Sequence, residues 1–150
     1  MFDRRADQKL PTWVAFLDVS KAFDSVAPWL LRLAMARAGL GTVFQNLICS
    51  LYFPTTITSL DSPQRLYADC GVRQGCPLTP ALFNLVIDLL VDHLETGPKV
   101  AFPGFEIWLN QTWYADDCAL VARSQSDLQL LVSSAGTWLA DHGLKLNTKK

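Results

Sequence analysis

The spacing of apolar and polar residues in the first third of the chain predicts one strand followed by two helices. Residues 13–19, WVAFLDV, form a short apolar run rich in β-formers, which favours a buried strand with Asp18 near its end. Apolar residues then recur at helical intervals from Pro28 to Gly39, where proline suits the first turn and glycine the end. A second helix is predicted from about 42 to 52.

The middle of the chain predicts a hairpin, a loop and a third helix. Residues 55–70 suit two strands around a turn at 61–63, and glycine and proline punctuate the loop at 71–80. Residues 81–94 have the apolar face of a helix. Polar residues of this helix fall on a single stripe, which faces either water or a site: Asn84, Asp88 and Asp92.

The last third predicts two strand-like segments and a closing helix. Residues 105–109 and 112–122 are rich in β-formers, and two adjacent aspartates lie at a turn within the second segment. Apolar residues at helical spacing follow from Ser126, an acceptable N-cap, until Gly143 ends the helix.

These elements predict a single domain of the α+β class. No linker rich in Pro, Gly or Ser divides them, and 150 residues can bury a substantial core. Half of the residues are apolar and 18% are charged, which favours a globular body over a disordered segment. The expected architecture is an antiparallel sheet with helices packed on one face, and the uncovered face would carry the acids.

Charge and cysteine content narrow the classes of function. The net charge is −1, from 13 basic and 14 acidic residues, whereas a domain that grips nucleic acid through phosphates usually has a basic surface. The four cysteines form no CxxC pair and have no histidine at ligand spacing, so free thiols in a reducing compartment are expected rather than zinc. The sequence shows no signal-like or membrane-spanning stretch, which predicts an intracellular protein, nuclear or cytoplasmic.

Three aspartates are the strongest candidates for chemistry. Asp18 and the pair Asp116 and Asp117 have apolar, strand-like surroundings, where a lone carboxylate is costly unless it pairs or binds a cation. Brought together, they would form a cluster of hard oxygen ligands suited to Mg²⁺, and two such ions serve in-line phosphoryl displacements. Taken alone, adjacent aspartates in a turn are more often solvated turn formers.

Four segments in a fixed order resemble the palm of reverse transcriptases. They are residues 16–24 (FLDVSKAFD), 71–80 (GVRQGCPLTP), 114–117 (YADD) and 143–147 (GLKLN). The resemblance is closest to non-LTR (LINE-type) retrotransposons and extends over nearly the whole chain. It implies a polymerase palm with part of the connection to the fingers. Residues 1–150 would then be a partial reverse transcriptase domain, without most of the fingers and all of the thumb.

The resemblance also implies roles for individual residues. Asp18, Asp116 and Asp117 match the catalytic acids that bind the metal ions, and Lys149 matches a lysine that protonates departing pyrophosphate. Phe23 matches the bulky residue that clashes with a ribose 2′-hydroxyl. The other residues expected at the nucleotide are Val19, Lys21, Ala22 and Gln74, and those expected at template or primer are Arg73, Gly75 and Tyr114.

The function implied is RNA-directed DNA polymerisation with two Mg²⁺ ions, for which Mn²⁺ could substitute. The implied partners are an RNA template, a DNA primer, dNTPs, and the fingers, thumb and endonuclease modules of a longer polyprotein. Two alternatives stay open: a truncated or domesticated palm that is a binding module or a remnant, and a reverse transcriptase associated with introns or telomeres. Because few basic residues are present, the chain alone is expected to bind template and primer weakly and to extend primers little.

Overall fold

The computed structural model describes residues 10–59, 62–73, 75–102 and 106–147. The strands in chain order are β1 (Trp13–Ser20), β2 (Thr55–Ser59), β3 (Ser62–Ala68), β4 (Val100–Ala101), β5 (Trp108–Leu109), β6 (Gln111–Tyr114), β7 (Asp117–Ala122) and β8 (Lys145–Leu146). The helices are α1 (Pro28–Arg37), α2 (Thr42–Tyr52), α3 (Thr79–Glu95) and α4 (Gln125–Asp141), and a 3-10 turn spans Phe23–Ser25.

A four-stranded antiparallel sheet with the strand order β6-β7-β1-β8 is the centre of the fold. β1 and β7 pair from Trp13 opposite Ala122 to Asp18 opposite Asp117. β6 and β7 form a hairpin, and the short β8 pairs with the carboxyl end of β1. β2 and β3 form a separate hairpin, as do β4 and β5.

The helices cover one face of the sheet. Side chains alternate between the two faces of a strand, so every second residue of β1 and β7 points to the same side. On the covered side, α1, α3 and α4 complete the main hydrophobic core. The strand residues in this core are Leu17, Val19, Cys118, Leu120 and Ala122. α4 packs against β1 and β7, and α1 packs against α3, where Arg37 and Asp92 form an ion pair at the surface.

The opposite face, called the open face below, carries Phe16, Asp18, Tyr114 and Asp117 at one end. Phe16 and Tyr114 are 83% and 84% exposed, so this end faces solvent. At the other end, the hairpin of β4 and β5 contributes to a small apolar cluster of Val100, Phe102, Leu109 and Val121. The aspartates therefore lie at the end of the open face that this cluster does not cover.

Most of the predicted elements are present in the structure. The α+β architecture with helices on one face of an antiparallel sheet is confirmed, and α1 and α2 have the predicted positions. The prediction of Ser126 as the N-cap of α4 was wrong. Ser124 occupies the cap, and its hydroxyl accepts a 3.1 Å hydrogen bond from the Asp127 amide, so the helix begins at Gln125.

The shortest strands were not predicted. β4 and β8 each contain two residues, too few for an alternating pattern to be visible. Of the segment predicted as a strand at 105–109, the structure describes residues 106–109, and within them only the two residues of β5 form a strand. α3 begins two residues earlier than predicted because Pro80 lies in its first turn, where the missing N–H has no cost.

None of the helices within the described residues has both the length and the apolar character needed to cross a bilayer. All four cysteines carry free thiols, as predicted; Cys49 and Cys118 are buried, Cys70 is exposed and Cys76 is intermediate.

Gly71 joins the loop before α3 to the turn after β1. Its amide donates to the Val26 carbonyl at 2.8 Å, and the Val72 amide donates to the Phe23 carbonyl at the same distance. Gly71 has a φ of +94°, and a Cβ atom at this position would lie 2.8 Å from the carbonyl oxygen of Asp24. Both the conformation and the close approach therefore require glycine.

We expect Gly71→Ala to lower the free energy of unfolding by about 2–4 kcal/mol, because left-handed strain and a backbone clash act together. Gly39→Ala is the matched control: its φ is +77°, but no atom lies within 4 Å of the added Cβ. That variant should lose only the strain contribution, about 1–2 kcal/mol. Urea unfolding followed by circular dichroism measures both, and equal losses would contradict the proposed contact.

Candidate functional site

Two aspartates face each other at the exposed end of the open face. Asp18 on β1 is the direct cross-strand partner of Asp117 on β7. Residues in this relation point to the same face with Cβ atoms about 4.5–5.5 Å apart, and like charges there destabilise a sheet by a few tenths to about 1 kcal/mol. Asp18 is half-buried and Asp117 is exposed. The pairing is unfavourable for folding by itself, which makes it a candidate for function.

Asp116 lies on the two-residue turn between β6 and β7, next to this pair. Tyr114 is paired with Asp117, which leaves Ala115 and Asp116 as the turn. Ala115 has a φ of 53°, a conformation that costs a non-glycine residue about 1–3 kcal/mol and that recurs at functional sites. Asp116 thus lies at the hairpin tip, as expected, whereas Asp117 is the first residue of β7 and not part of the turn.

The expected cluster of three carboxylates is not complete in the structure. Among the described residues, no group of three or more His, Cys, Asp and Glu side chains is arranged to hold a metal ion. Asp18 and Asp117 form a pair, with Asp116 on the adjoining turn. The donor set still fits a hard divalent cation, since Mg²⁺ usually takes one or two carboxylates and fills its other positions with water and substrate phosphates.

The turn after β1 can offer a ligand its backbone and one aromatic ring. Val19 and Ala22 are 3% and 4% exposed, so their side chains belong to the core and only their main chain could face a nucleotide. Lys21 is exposed and has a φ of 49°, the second strained residue of the site. The half-buried Phe23 ring lies against Phe83 of α3, with centroids 4.6 Å apart, which fixes its position.

The loop before α3 begins beside Phe23 and then reaches the surface. The hydrogen bond from Val72 to the Phe23 carbonyl places the start of the loop next to the turn after β1. Arg73 and Gly75 are exposed, and Gly75 has a φ of +84° with open space around it. Gln74 and Lys149, both predicted site residues, lie outside the described residues.

Tyr52 at the end of α2 anchors this loop, a role that the sequence did not indicate. Its hydroxyl donates to Cys76 Sγ at 3.0 Å and lies 3.3 Å from Thr79 Oγ1, which in turn donates to the Arg73 carbonyl at 2.6 Å. The hydrogen bond from Tyr52 lowers the pKa of the Cys76 thiol. Burial raises the pKa of the Tyr52 hydroxyl. It also raises the pKa of the Cys118 thiol, to about 12.

Asn147, the last residue of the fourth motif segment, is a second residue to which sequence reasoning assigned no role of its own. Its side-chain amide donates to Asp18 Oδ2 at 2.7 Å, and its backbone amide donates to the Asp18 carbonyl at 2.8 Å. The alternation of apolar Leu144 and Leu146 around exposed Lys145 was the available signal for a strand here, but it covers too few residues to be recognised.

Tyr114 lines two grooves near the aspartates. A groove of about 360 Å³ is lined by Phe16, Tyr114 and Asp117, among others. A larger groove of about 620 Å³ lies between α3 and the hairpin, where Asn84 and Asp88 of the predicted polar stripe line it. Part of that stripe therefore faces a cleft.

The sequence matches the family described as "Reverse transcriptase (RNA-dependent DNA polymerase)" over residues 2–150. It is 36% identical over 144 residues to the "Retrovirus-related Pol polyprotein from type-2 retrotransposable element R2DM" of Drosophila melanogaster, covering 92% of this chain and 13% of that polyprotein. It is 30% identical over 150 residues to the type-1 retrotransposable element R2 polyprotein of Popillia japonica, covering 97% of this chain and 21% of that protein.

Solved structures of telomerase share the fold. Apo telomerase from Candida tropicalis, truncated from its C-terminal domain, superposes with a TM-score of 0.71 at 14% identity, over 99% of this chain and 32% of that one. Telomerase from Candida albicans, solved with a fragment of telomeric RNA, gives a TM-score of 0.70 at 12% identity, over 99% and 29%. At this level of identity the likeness shows the fold alone.

We expect Tyr52→Phe to raise the pKa of the Cys76 thiol, because the lost hydroxyl is the main group that stabilises its thiolate. At any pH below that pKa less thiolate is present, so alkylation by iodoacetamide should slow and its pH–rate midpoint should move upward. Cys76→Ser identifies the contribution of this thiol, and the exposed Cys70 thiol is the internal control whose midpoint should stay constant. An unchanged midpoint for Cys76 would contradict the contact.

Proposed function

The chain belongs to the reverse transcriptase (RNA-dependent DNA polymerase) family, and we propose that it supplies the palm of an RNA-directed DNA polymerase encoded by a retrotransposon. The family resemblance drawn from its sequence motifs is confirmed. The chain spans 13% and 21% of two R2 polyproteins that it matches. In this proposal residues 1–150 are part of a reverse transcriptase domain, and the fingers and thumb are supplied by flanking sequence of a longer polyprotein.

One observation carries the proposal: Asp18 lies directly opposite Asp117 on an open sheet face, with Asp116 on the turn beside them. Carboxylates in this arrangement would hold two Mg²⁺ ions, or Mn²⁺ in their place, between the protein and substrate phosphates. Such ions supply charge stabilisation for the attacking and leaving oxygens of a phosphoryl displacement. The unfavourable like-charge pair and the strained Ala115 are both consistent with selection for a site of this kind.

The proposed reaction adds a deoxynucleotide to a primer. A bond forms between the primer 3′-oxygen and the α-phosphorus of the dNTP, the bond from that phosphorus to the bridging oxygen breaks, and the hydroxyl proton passes to solvent water. Pyrophosphate departs and takes up a proton, for which Lys149 is the proposed donor. The chain's own contribution is to fix the acids and the nucleotide relative to each other.

The nucleotide would lie between the turn after β1 and the loop before α3. Val19, Lys21 and Ala22 would border its phosphates through backbone groups, and Phe23 would exclude a 2′-hydroxyl. Support for the last assignment comes from the packing of Phe23 on Phe83, which leaves its ring little freedom to move aside. Gln74 would approach the new base pair.

An RNA template and a DNA primer are the proposed macromolecular partners. Arg73, Gly75 and Tyr114 are exposed on the two elements that flank the acids, and they are the residues proposed to contact template or primer. With a net charge of −1, the chain offers few cations for phosphates, so most of the affinity would come from other parts of a polyprotein. A palm without catalytic competence is the alternative, and loss of the acids tests it.

Asp18→Asn and Asp116→Asn, made in a longer polyprotein segment that includes this chain, should each reduce dNTP incorporation on poly(A)/oligo(dT) by about 100-fold or more, because each removes a charged ligand of the metal ions that would stabilise the reacting phosphate. Asp141→Asn, at the exposed end of α4, makes the same chemical change elsewhere and should keep parental activity. Parental incorporation in both site variants would contradict the assignment of the acids.

Phe23→Ala in the same polyprotein should raise ribonucleotide use relative to deoxyribonucleotide use, since the proposed clash with the 2′-hydroxyl is relieved. Phe23→Tyr keeps the bulk of the ring and should keep the parental ratio. Single-nucleotide extension with each triphosphate gives this ratio within one preparation. A partial loss of folded protein lowers both rates equally and therefore does not change their ratio. If both variants gave the parental ratio, Phe23 would be only a core residue that packs on Phe83.

A further inference from the structure

Asn147 connects the last strand of the sheet to the first aspartate of the site. The two residues are 129 positions apart in the chain, yet two hydrogen bonds join them. The backbone bond, 2.8 Å from the Asn147 amide to the Asp18 carbonyl, continues the ladder of β8 on β1. The second bond, 2.7 Å from Nδ2 to Oδ2, goes to the carboxylate itself and is not needed for strand pairing.

The orientation of the Asn147 amide follows from chemistry. An ionised carboxylate can only accept hydrogen bonds, so the nitrogen of the amide must face Asp18. This hydrogen bond holds Oδ2 of Asp18 and thereby restricts rotation of the carboxylate about the Cβ–Cγ bond. The bond therefore favours one orientation of the Asp18 carboxylate relative to Asp117, the like charge directly opposite.

The choice of a neutral donor also matters. A lysine or arginine in this position would neutralise Asp18 and compete with a cation for its oxygens. An amide holds the carboxylate while leaving its full negative charge available. Residues that hydrogen-bond to a metal ligand, without contacting the metal themselves, commonly orient the ligand in this way.

The residues between α4 and Asn147 determine where Asn147 lies. Gly143, with a φ of +78°, ends α4, and the Leu144 amide donates back to the Leu139 carbonyl at 2.8 Å. Leu144 is buried, and Leu146 passes over Gly136 of α4, where a Cβ atom would lie 3.5 Å from its Cδ1. The packing of α4 on the sheet therefore sets the position of Asn147.

We infer that Asn147 is a positioning residue, which orients the Asp18 carboxylate for a divalent cation through its side-chain amide. The inference rests on the proposed function, because it assumes that Asp18 binds the cation. It assigns to β8 a part in the site, in addition to its role as a sheet edge.

Binding of Mn²⁺ to the 150-residue chain, followed by the electron paramagnetic resonance signal of the free ion, tests this role without any activity measurement. Asn147→Ala and Asn147→Leu should each weaken binding by about 10-fold or more. The leucine variant keeps the volume of the side chain, and both variants keep the backbone amide that pairs with β1. Asn46→Ala, which removes an exposed asparagine on α2 bonded to Arg32, is the matched control and should keep parental affinity.

The urea midpoint of each variant separates orientation from stability, since a purely structural role would lower the midpoint and leave the affinity of the folded chain unchanged. Parental Mn²⁺ affinity in Asn147→Leu would overturn the inference. Asp18→Asn separates this failure from failure of the proposed function. If Asp18→Asn keeps parental affinity, the cation site itself is wrong; if it loses affinity while the Asn147 variants keep theirs, only the role of Asn147 is wrong.

Discussion

The antiparallel register between β1 and β7 is the constraint on which the site depends. It sets Asp18 opposite Asp117 and directs both to the open face. Side chains alternate with a period of two, so a slip of β1 by one residue would turn Asp18 into the core and the core-facing Leu17 and Val19 outward. The hydrophobic pattern that stabilises the sheet therefore also determines which face carries the charges, and the helices on the covered face enforce it.

Three contacts from distant parts of the chain fix the elements around this pair. Asn147, which follows β8, donates to the Asp18 carboxylate. The close approach of Gly71 to Asp24 joins the loop before α3 to the turn after β1. Tyr52 of α2 anchors the loop before α3 through its hydrogen bond to Cys76. Each contact links residues far apart in sequence, so the site exists only when the whole sheet and its helices are assembled. A local fragment of the chain would lack it.

The elements that could be predicted from the sequence are those with several turns of a regular apolar pattern and recognisable end residues. α1 and α2 have several turns of apolar residues, with proline, glycine or a polar residue at their ends, and their positions were predicted within a residue or two. The pairs that build the site, Asp18 with Asp117 and Asp18 with Asn147, are set by strand order, which a local pattern does not encode. Motif resemblance brought the first two together as candidates, whereas Asn147 received no role because β8 has only two residues. Whether Gln74 and Lys149 belong to the site stays a prediction.

Unfavourable local features are concentrated at one end of the open face. A like-charge pair, positive φ values at Lys21 and Ala115, and the strongly exposed rings of Phe16 and Tyr114 all occur there, while the covered face obeys the ordinary rules of burial. Natural sequences tend to break such rules where function demands it. In the proposed function, cations between the carboxylates would relieve the like-charge pair, and a nucleic acid would cover the exposed rings. The local cost in stability thus favours a surface that is completed by its ligands over one selected for the free chain.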